Sequence, residues 1–485
     1  MILASFAGFL LLFIVVGLLS ALQRQRTGVD YLLASQGVQP WLVALSAVAT
    51  NNSGYMFVGM IGFTYSFGLS AVWLMVGWIT GDFLMSLFVH GRLRVTSERR
   101  RTESFAGVIS AWHGTDYRTL RALGGVVTVL FLGTYAAAQL NAGSKALFVL
   151  FGWEYGVGAA IGAVIVLAYC VAGGIRASIW TDAAQSAVMV AAMTLMCVVA
   201  VGEVGGWTAF VSALGQVSPD YMRWFPTDPA AGSAAGPVFF VVGWLFAGFA
   251  VIGQPHIMVR FMAMDDAAHM RRVRYYYYSW FTAFYALTIC AGLAARLLLP
   301  ETATFDAELA LPTLAGQLLP EVLTGLVLAG LFAATMSTAD SLILSCTAAI
   351  TRDFPSRRLR TYTATKLATV GVTALALGIA LAGNASVFSL VLVSWSALAS
   401  AFGPLLVVYA LGRRPTEGLA IAMLLTGVAV VALWRLAGWD QSIVYEAMPG
   451  MLSGLAVFAV GHRAGLVHDV STVDRAASDG AAVGA

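Results

Sequence analysis

The sequence predicts an all-α integral membrane protein of about thirteen transmembrane helices, with two five-helix sets of opposite orientation at its centre. Three observations predict it. Of 485 residues, 59% are hydrophobic and only 11% charged, against about 25% charged in a soluble domain. Apolar runs of about 20 residues, the length that crosses a bilayer as a helix, recur from end to end. Two of these runs, residues 40–67 and 237–260, open the two sets, and both are interrupted by polar, Gly or Pro residues.

In order, the runs lie at residues 2–22, 40–67, 70–91, 120–150, 156–174, 180–202, 237–260, 276–299, 321–350, 362–382, 386–411, 418–436 and 448–461. The first has no basic residue ahead of it and exceeds the roughly 7–15 residue apolar region of a signal peptide. It reads as a retained helix, with its loop reaching residue 30. Residues 40–202 hold the first set and 237–411 the second; five is odd, so the second enters from the opposite face. Residues 412–463 add peripheral helices, and the chain forms one domain. The loop over 205–237, with Trp207, Phe210, Trp224 and Phe225, suits the outer interface. The tail over 464–485 is rich in small residues and reads as disordered and cytoplasmic.

Charge placement sets the orientation. The net charge is only +3, but basic residues crowd alternate loops. These are Arg24 and Arg26; Arg92, Arg94 and Arg99 to Arg101; Arg176; Arg260, Arg271, Arg272 and Arg274; Arg352, Arg357, Arg358 and Arg360; Arg413 and Arg414; and Arg463. The opposite loops carry Glu154, Asp220, Asp228, Glu301, Asp306, Glu308 and Asp440. By the positive-inside rule the N-terminus is outside and the C-terminus cytoplasmic, in a cell's inner (plasma) membrane. The arginines are dispersed at helix ends, which excludes a nucleic-acid surface. Arg260 reads as an anchor of the cytoplasmic side, and Tyr275 to Trp280 as an interfacial aromatic belt. Cys170, Cys197, Cys290 and Cys346 sit in apolar runs without metal-ligand spacing. There is no Gly-rich phosphate loop, catalytic triad or His/Cys cluster, so the chain does not read as an enzyme. A monomer suffices in the lipid bilayer, with the oligomeric state open.

The interruptions carry the chemistry. Backbone groups left unpaired in lipid cost several kcal/mol each, so a span breaks only where something replaces the lost bonds. In residues 48–59, VATNNSGYMFVG, the break is Asn51, Asn52, Ser53 and Gly54. Carbonyls near Ala49 and Asn52 would face a cation, and N–H groups after Gly54 an anionic group such as a carboxylate. The matching break is expected near Gly248, with Gly253 and Pro255 at its inner end. In the span 321–350, Ser337, Thr338, Asp340, Ser341 and Ser345 run through apolar sequence; Ser337, Asp340 or Ser341, and Ser345 share a face. Hydroxyls and carboxylates are hard ligands for alkali and alkaline-earth cations, and an intramembrane Asp is a functional candidate. Asp182 stands just inside the start of another span.

The segments SAVATNNSGYMFVGMIG, GGIRASIWTDAAQ, GQPHIMVRFMA and AATMSTADSLILSCTAAITRD resemble the sodium/solute symporter family, most closely its sodium/proline branch, over about residues 30–353. The resemblance implies thirteen helices with a LeuT-like five-plus-five inverted repeat. It implies a sodium site built from the carbonyls of Ala49, Asn52 and Ala334 and the hydroxyls of Ser337 and Thr338. A second cation site at Asp182, Asp340 and Ser341 follows from some relatives. The solute would meet Asn51, Ser53, Gly54, Tyr55, Tyr135, Ala247, Val251 and Gln254. Two departures stand out. Proline carriers of the family have an Asp where this chain has Asn51; a carboxylate about 8 Å from a cation contributes roughly 2 kcal/mol at an effective dielectric near 20, and Asp340 is the candidate to compensate. They also carry Trp and Tyr where this chain has Ala247 and Val251, so the pocket is expected to be larger or differently shaped.

The expected function is secondary active symport, with sodium entry driving uptake of a small organic solute, an amino acid such as proline or a small carboxylate, by alternating access. The alternatives are a proton-coupled carrier of the same fold and a membrane sensor module acting with a partner.

Overall fold

In the computed structural model the described residues are 1–226, 236–299, 305–383, 386–439 and 444–469. The helices are α1 (Ile2–Ser20), α2 (Gly28–Leu33), α3 (Pro40–Gly54), α4 (Ile61–Phe67), α5 (Val72–Phe88), α6 (His90–Arg100), α7 (Phe105–Ala111), α8 (Arg118–Phe151), α9 (Tyr155–Glu203) and α10 (Trp207–Leu214). They continue as α11 (Gly236–Phe249), α12 (Pro255–Met262), α13 (Met270–Leu298), α14 (Ala310–Leu318), α15 (Glu321–Ala348), α16 (Tyr362–Ala382), α17 (Val387–Ala410), α18 (Glu417–Leu436) and α19 (Ala447–Arg463). Ten helical stretches are long and apolar enough to cross a membrane. Two of them, Pro40–Phe88 and Tyr155–Glu203, are 49 residues each, more than twice the length one crossing needs.

Burial sorts the helices. In α1 the buried positions are Phe6, Leu10, Phe13, Gly17 and Ser20, a stripe at helical spacing; the other faces are apolar and exposed, as lipid requires. By contrast, every residue of α15 from Val327 to Ala348 is buried. This helix packs against α9, α8, α3 and α1, so its polar residues have only protein to satisfy them.

Three irregularities shape the core. The first lies at Ser53, whose φ of 48° and ψ of −179° break α3; a π-helical turn, Tyr55–Met60, follows before α4. The second is the turn Ala250–Gly253 and the extended Gln254, after which Pro255 opens α12. The break therefore falls on 250–254 and not at Gly248. Gly248 serves close packing instead: a Cβ there would strike the backbone of Trp78 and Asp82 on α5. The third is Gly174, with φ 60°, which breaks α9 where the Tyr31 carbonyl presses against it.

At the arginine-rich end the chain is tied shut. The Val38 and Asp265 amides bond the Ala263 and Val38 carbonyls at 3.1 and 3.0 Å, and the Arg94 guanidinium bonds the carbonyls of Met264 and Asp265 at 2.5 and 3.0 Å. Asp30 on α2 bonds Arg176 beside the α9 break at 2.5 Å. Burial pushes the Asp30 carboxyl up, but the bonds from Arg176 and the Gln25 amide outweigh it and leave it below the usual range. At the other end a cavity of about 400 Å³ is lined by Phe63, Phe67, Lys145, Glu308, Ser386 and Phe388. The tail departs from expectation: β2 (Val467–Asp469) pairs antiparallel with β1 (Arg413–Pro415), because the backbone ladder satisfies both segments. Residues 470–485, like Asp228, Glu301 and Asp440, lie outside the described residues.

Two outcomes follow. Gly248→Val forces α11 from α5 and costs about 1–3 kcal/mol, so its melting temperature falls below that of Gly248→Ala, itself below wild type. A depressed folded-state carboxyl stabilises above its unfolded pKa and loses that contribution as pH falls through the folded value. Acid therefore weakens the α2 anchor below the ordinary aspartate range, and Asp30→Asn melts lower at neutral pH with a flatter acid response.

Candidate functional site

The Ser53 break lies against α15. Ser337 Oγ donates towards the carbonyls of Ala49 and Ala334 at 3.3 and 3.1 Å. Thr338 Oγ1 reaches the carbonyls of Thr50 and Ala334 at 3.0 and 3.2 Å. Two hydroxyls and three carbonyls, all buried, thus converge from two helices. They are hard oxygens of the kind an alkali cation takes, so four of the five expected sodium ligands are together. The fifth, the Asn52 carbonyl, accepts the Tyr55 N–H, and both polar side-chain atoms of Asn52 are buried without a hydrogen-bond partner. The structure also brings in Thr50, which was not expected; its hydroxyl meets Ser341 Oγ at 3.0 Å. Its one-turn offset from Ser46 and Gly54 was a usable signal.

One turn further along α15 lies the expected second cation site, and a guanidinium stands in it. Arg260, from α12, is fully buried and does not anchor the cytoplasmic rim. Its Nη2 lies 3.5 Å from Asp182 Oδ2 and 3.6 Å from Asp340 Oδ1. The same nitrogen donates to Ser341 Oγ and, at 2.6 Å, to Ser178 Oγ, while Nε reaches Ser46 Oγ at 3.2 Å. Ser46 and Ser178 donate to Asp182 and Asp340 at 2.6 and 2.7 Å, and the Tyr169 hydroxyl to Asp340 at 2.8 Å. Two carboxyl groups thus share one guanidinium, one turn from the hydroxyl clip. The sequence brought Asp182, Asp340 and Ser341 into view but not Arg260, whose loop-like position masked it.

Beyond the break lies an aromatic cluster. Tyr135 Oη donates to Ser53 Oγ at 3.2 Å, and Ser53 Oγ accepts the Tyr55 amide at 3.0 Å. The Gly54 amide, expected to meet an anion, donates to Gln139 Oε1 at 2.8 Å. Tyr55 stacks on Phe388 at 5.4 Å and lies 5.5 Å from Trp78. The Trp78 and Trp395 rings are 4.9 Å apart, and His256 faces both Tyr135 and Trp395. Ala247 and Val251 are buried, but Trp395 donates its indole N–H to the Ala247 carbonyl at 3.1 Å. Gln254 Nε2 in turn bonds the Trp395 carbonyl at 2.9 Å. Trp395 of α17 thus packs beside Ala247, with Trp78 of α5 against its ring. Trp78 and Trp395 escaped the sequence reading because tryptophans in apolar spans look like lipid-facing residues.

Removing one partner of a buried ion cluster strands the others. Arg260→Ala, which leaves Asp182 and Asp340 facing each other, should cost about 3–5 kcal/mol. It should melt lower than Arg260→Lys, and restoring charge balance with Asp182→Asn should recover part of the loss.

Comparisons with known proteins give the family and the fold. The sodium:solute symporter family model matches residues 31–427. The chain is 30% identical over 442 residues to the sodium/proline symporter of Escherichia coli (strain K12), covering 88% of this chain and 86% of that one. It is 28% identical over 451 residues to the high-affinity proline transporter PutP of Bacillus subtilis (strain 168), covering 91% and 93%. The fold matches a sodium-coupled sialic acid symporter solved in a substrate-bound outward-open state, with TM-score 0.79, 20% identity and coverage of 95% and 97%. It also matches MhsT in complex with L-phenylalanine, with TM-score 0.56, 14% identity and coverage of 87% and 98%. A family model that spans most of the sequence, with a relative 30% identical over most of both chains, places this chain in the sodium:solute symporter family.

Proposed function

We propose that this symporter takes up a small amino acid, with proline the first candidate, by binding one sodium ion at the clip of Ala49, Thr50, Ala334, Ser337 and Thr338. The observation that carries it is the convergence of Ser337 and Thr338 on the carbonyls of α3 beside the break. Sodium bound there takes the lone pairs of these oxygens and draws the two helices together. That orders Ser53 and Tyr135 at the aromatic cluster. The relatives named for proline transport support the solute class, and the aromatic walls suit a compact ring. Arg260 supplies the positive charge where a second sodium was expected. The carboxyl groups of Asp182 and Asp340 stand one turn from the clip, which suits Asp340 as compensation for Asn51. The passes on either side of the breaks in the two 49-residue stretches, together with α19, support thirteen crossings. The arginine loops support an inward C-terminus, and the sets 40–202 and 237–411 support an inverted repeat. Nothing in the design requires more than a monomer.

One sodium moving down about 100 mV supplies ~2.3 kcal/mol, roughly fiftyfold accumulation of a neutral solute. In proteoliposomes an inward sodium gradient should therefore stimulate uptake of labelled proline or a similar amino acid, with a Hill coefficient for sodium near one. A coefficient near two would restore the second cation site. Uptake driven equally by potassium would overturn the reading.

A further inference from the structure

Asp82 lies in α5, fully buried, and neither of its carboxylate oxygens has a hydrogen-bond partner of ordinary geometry. The hydroxyls of Tyr277 and Tyr278 face it from α13, so half of the tetra-tyrosine run turns inward. Only Tyr275 and Tyr276 remain exposed, at 72% and 44%. Tyr277 Oη accepts from Asn51 Nδ2 at 2.6 Å, which leaves its own proton directed elsewhere, and Asn51 Oδ1 is buried without a partner. A polar chain thus runs from Asp82 through Tyr277 to Asn51, beside the Ser53 break.

The other neighbours do not neutralise Asp82. The segment 236–253, which packs against α5, contains no titratable side chain. Arg274 on α13 donates to the Ser86 carbonyl at 3.0 Å, one turn along α5. His90 on α6 lies against the Phe261 ring. Among the described residues no ion pair reaches Asp82. A carboxylate in an apolar interior without a counter-charge either draws in a cation or takes a proton. Two phenols and one amide oxygen make a poor shell for a metal ion and a sufficient one for a carboxyl group.

We propose that Asp82 is a proton-binding site linked through Tyr277 to Asn51, and that its proton and the transported sodium antagonise each other. Protonated, the carboxyl donates to Tyr278 Oη and accepts from Tyr277 Oη. Ionised, it accepts from both tyrosines and adds a negative charge near the clip. For a charge about 10 Å away at an effective dielectric near 20, that changes sodium affinity roughly tenfold. By linkage, sodium binding releases the proton. The linkage rests on the sodium reading above; the proton site itself does not.

The test uses two readouts on the purified full chain between about pH 5.5 and 8.5, the range in which buried carboxyls titrate. Infrared difference spectra should show a protonated-carboxyl C=O band that is present in wild type, absent from Asp82→Asn and kept in Tyr277→Phe. Apparent sodium affinity, read from sodium-dependent thermal shifts, should rise roughly tenfold with pH in wild type. It should be flat in Asp82→Asn, at the acid wild-type value, and reduced in slope in Tyr277→Phe. A wild-type spectrum without that band, or one that Asp82→Asn leaves unchanged, overturns the proton site. A band that behaves as expected with a pH-independent sodium affinity overturns the linkage. Loss of all sodium response in wild type would instead count against the sodium site, with the infrared result still deciding Asp82.

Discussion

The structure depends on one constraint: a helix broken inside a bilayer must have its freed backbone groups met by protein or ligand. At the Ser53 break that requirement is met by α15, whose Ser337 and Thr338 hydroxyls reach across to the carbonyls of Ala49 and Thr50. Nearly everything else about α15 follows. It is buried all round because it must touch α3, α8 and α9 together. It is rich in small and hydroxylated residues because close approach and polar contact are needed along the same face. A contact made of weak hydroxyl bonds is one that a cation can remake, and this is what turns a structural necessity into a coupling site.

Charge follows the same logic. The cluster of Arg260, Asp182 and Asp340 is buried and tied by serines and a tyrosine. A cluster of this kind contributes little net stability against an apolar alternative. Its worth lies in the field it lays on the neighbouring clip and in the rigid joint it makes between α12, α9 and α15. Asp82 adds a separate buried carboxyl group on α5. In the proposed account, charged groups on several helices stand near the clip, whereas Asn51 is neutral.

The apolar runs, the first break and the α15 hydroxyls were legible in the sequence, because each is a local pattern: an apolar run of bilayer length, a polar interruption, hydroxyls at helical spacing. What was not legible depends on tertiary placement. Arg260 sits next to a turn and so reads as a loop charge, yet the extended Gln254 and the short α12 swing it into the core. Trp395, beside Ala247, and Trp78, against the Trp395 ring, come from helices distant in sequence. Gly248 resembles a helix breaker, but its missing side chain serves the crossing with α5. Asp82, an acid in an apolar run, went unremarked in the sequence, because its neighbours Tyr277 and Tyr278 come from a distant run of four tyrosines that reads as interfacial.

The most direct measurement of the central claim is sodium binding without any solute. Purified protein in detergent is titrated with sodium or potassium chloride at constant ionic strength, and its melting temperature is followed. Wild type should gain stability with sodium and not with potassium, as mass action requires of an ion that binds only the folded state. The double variant Ser337→Ala with Thr338→Ala, folded in potassium, should lose that gain. An equal sodium gain in the double variant would place the ion elsewhere and contradict the account.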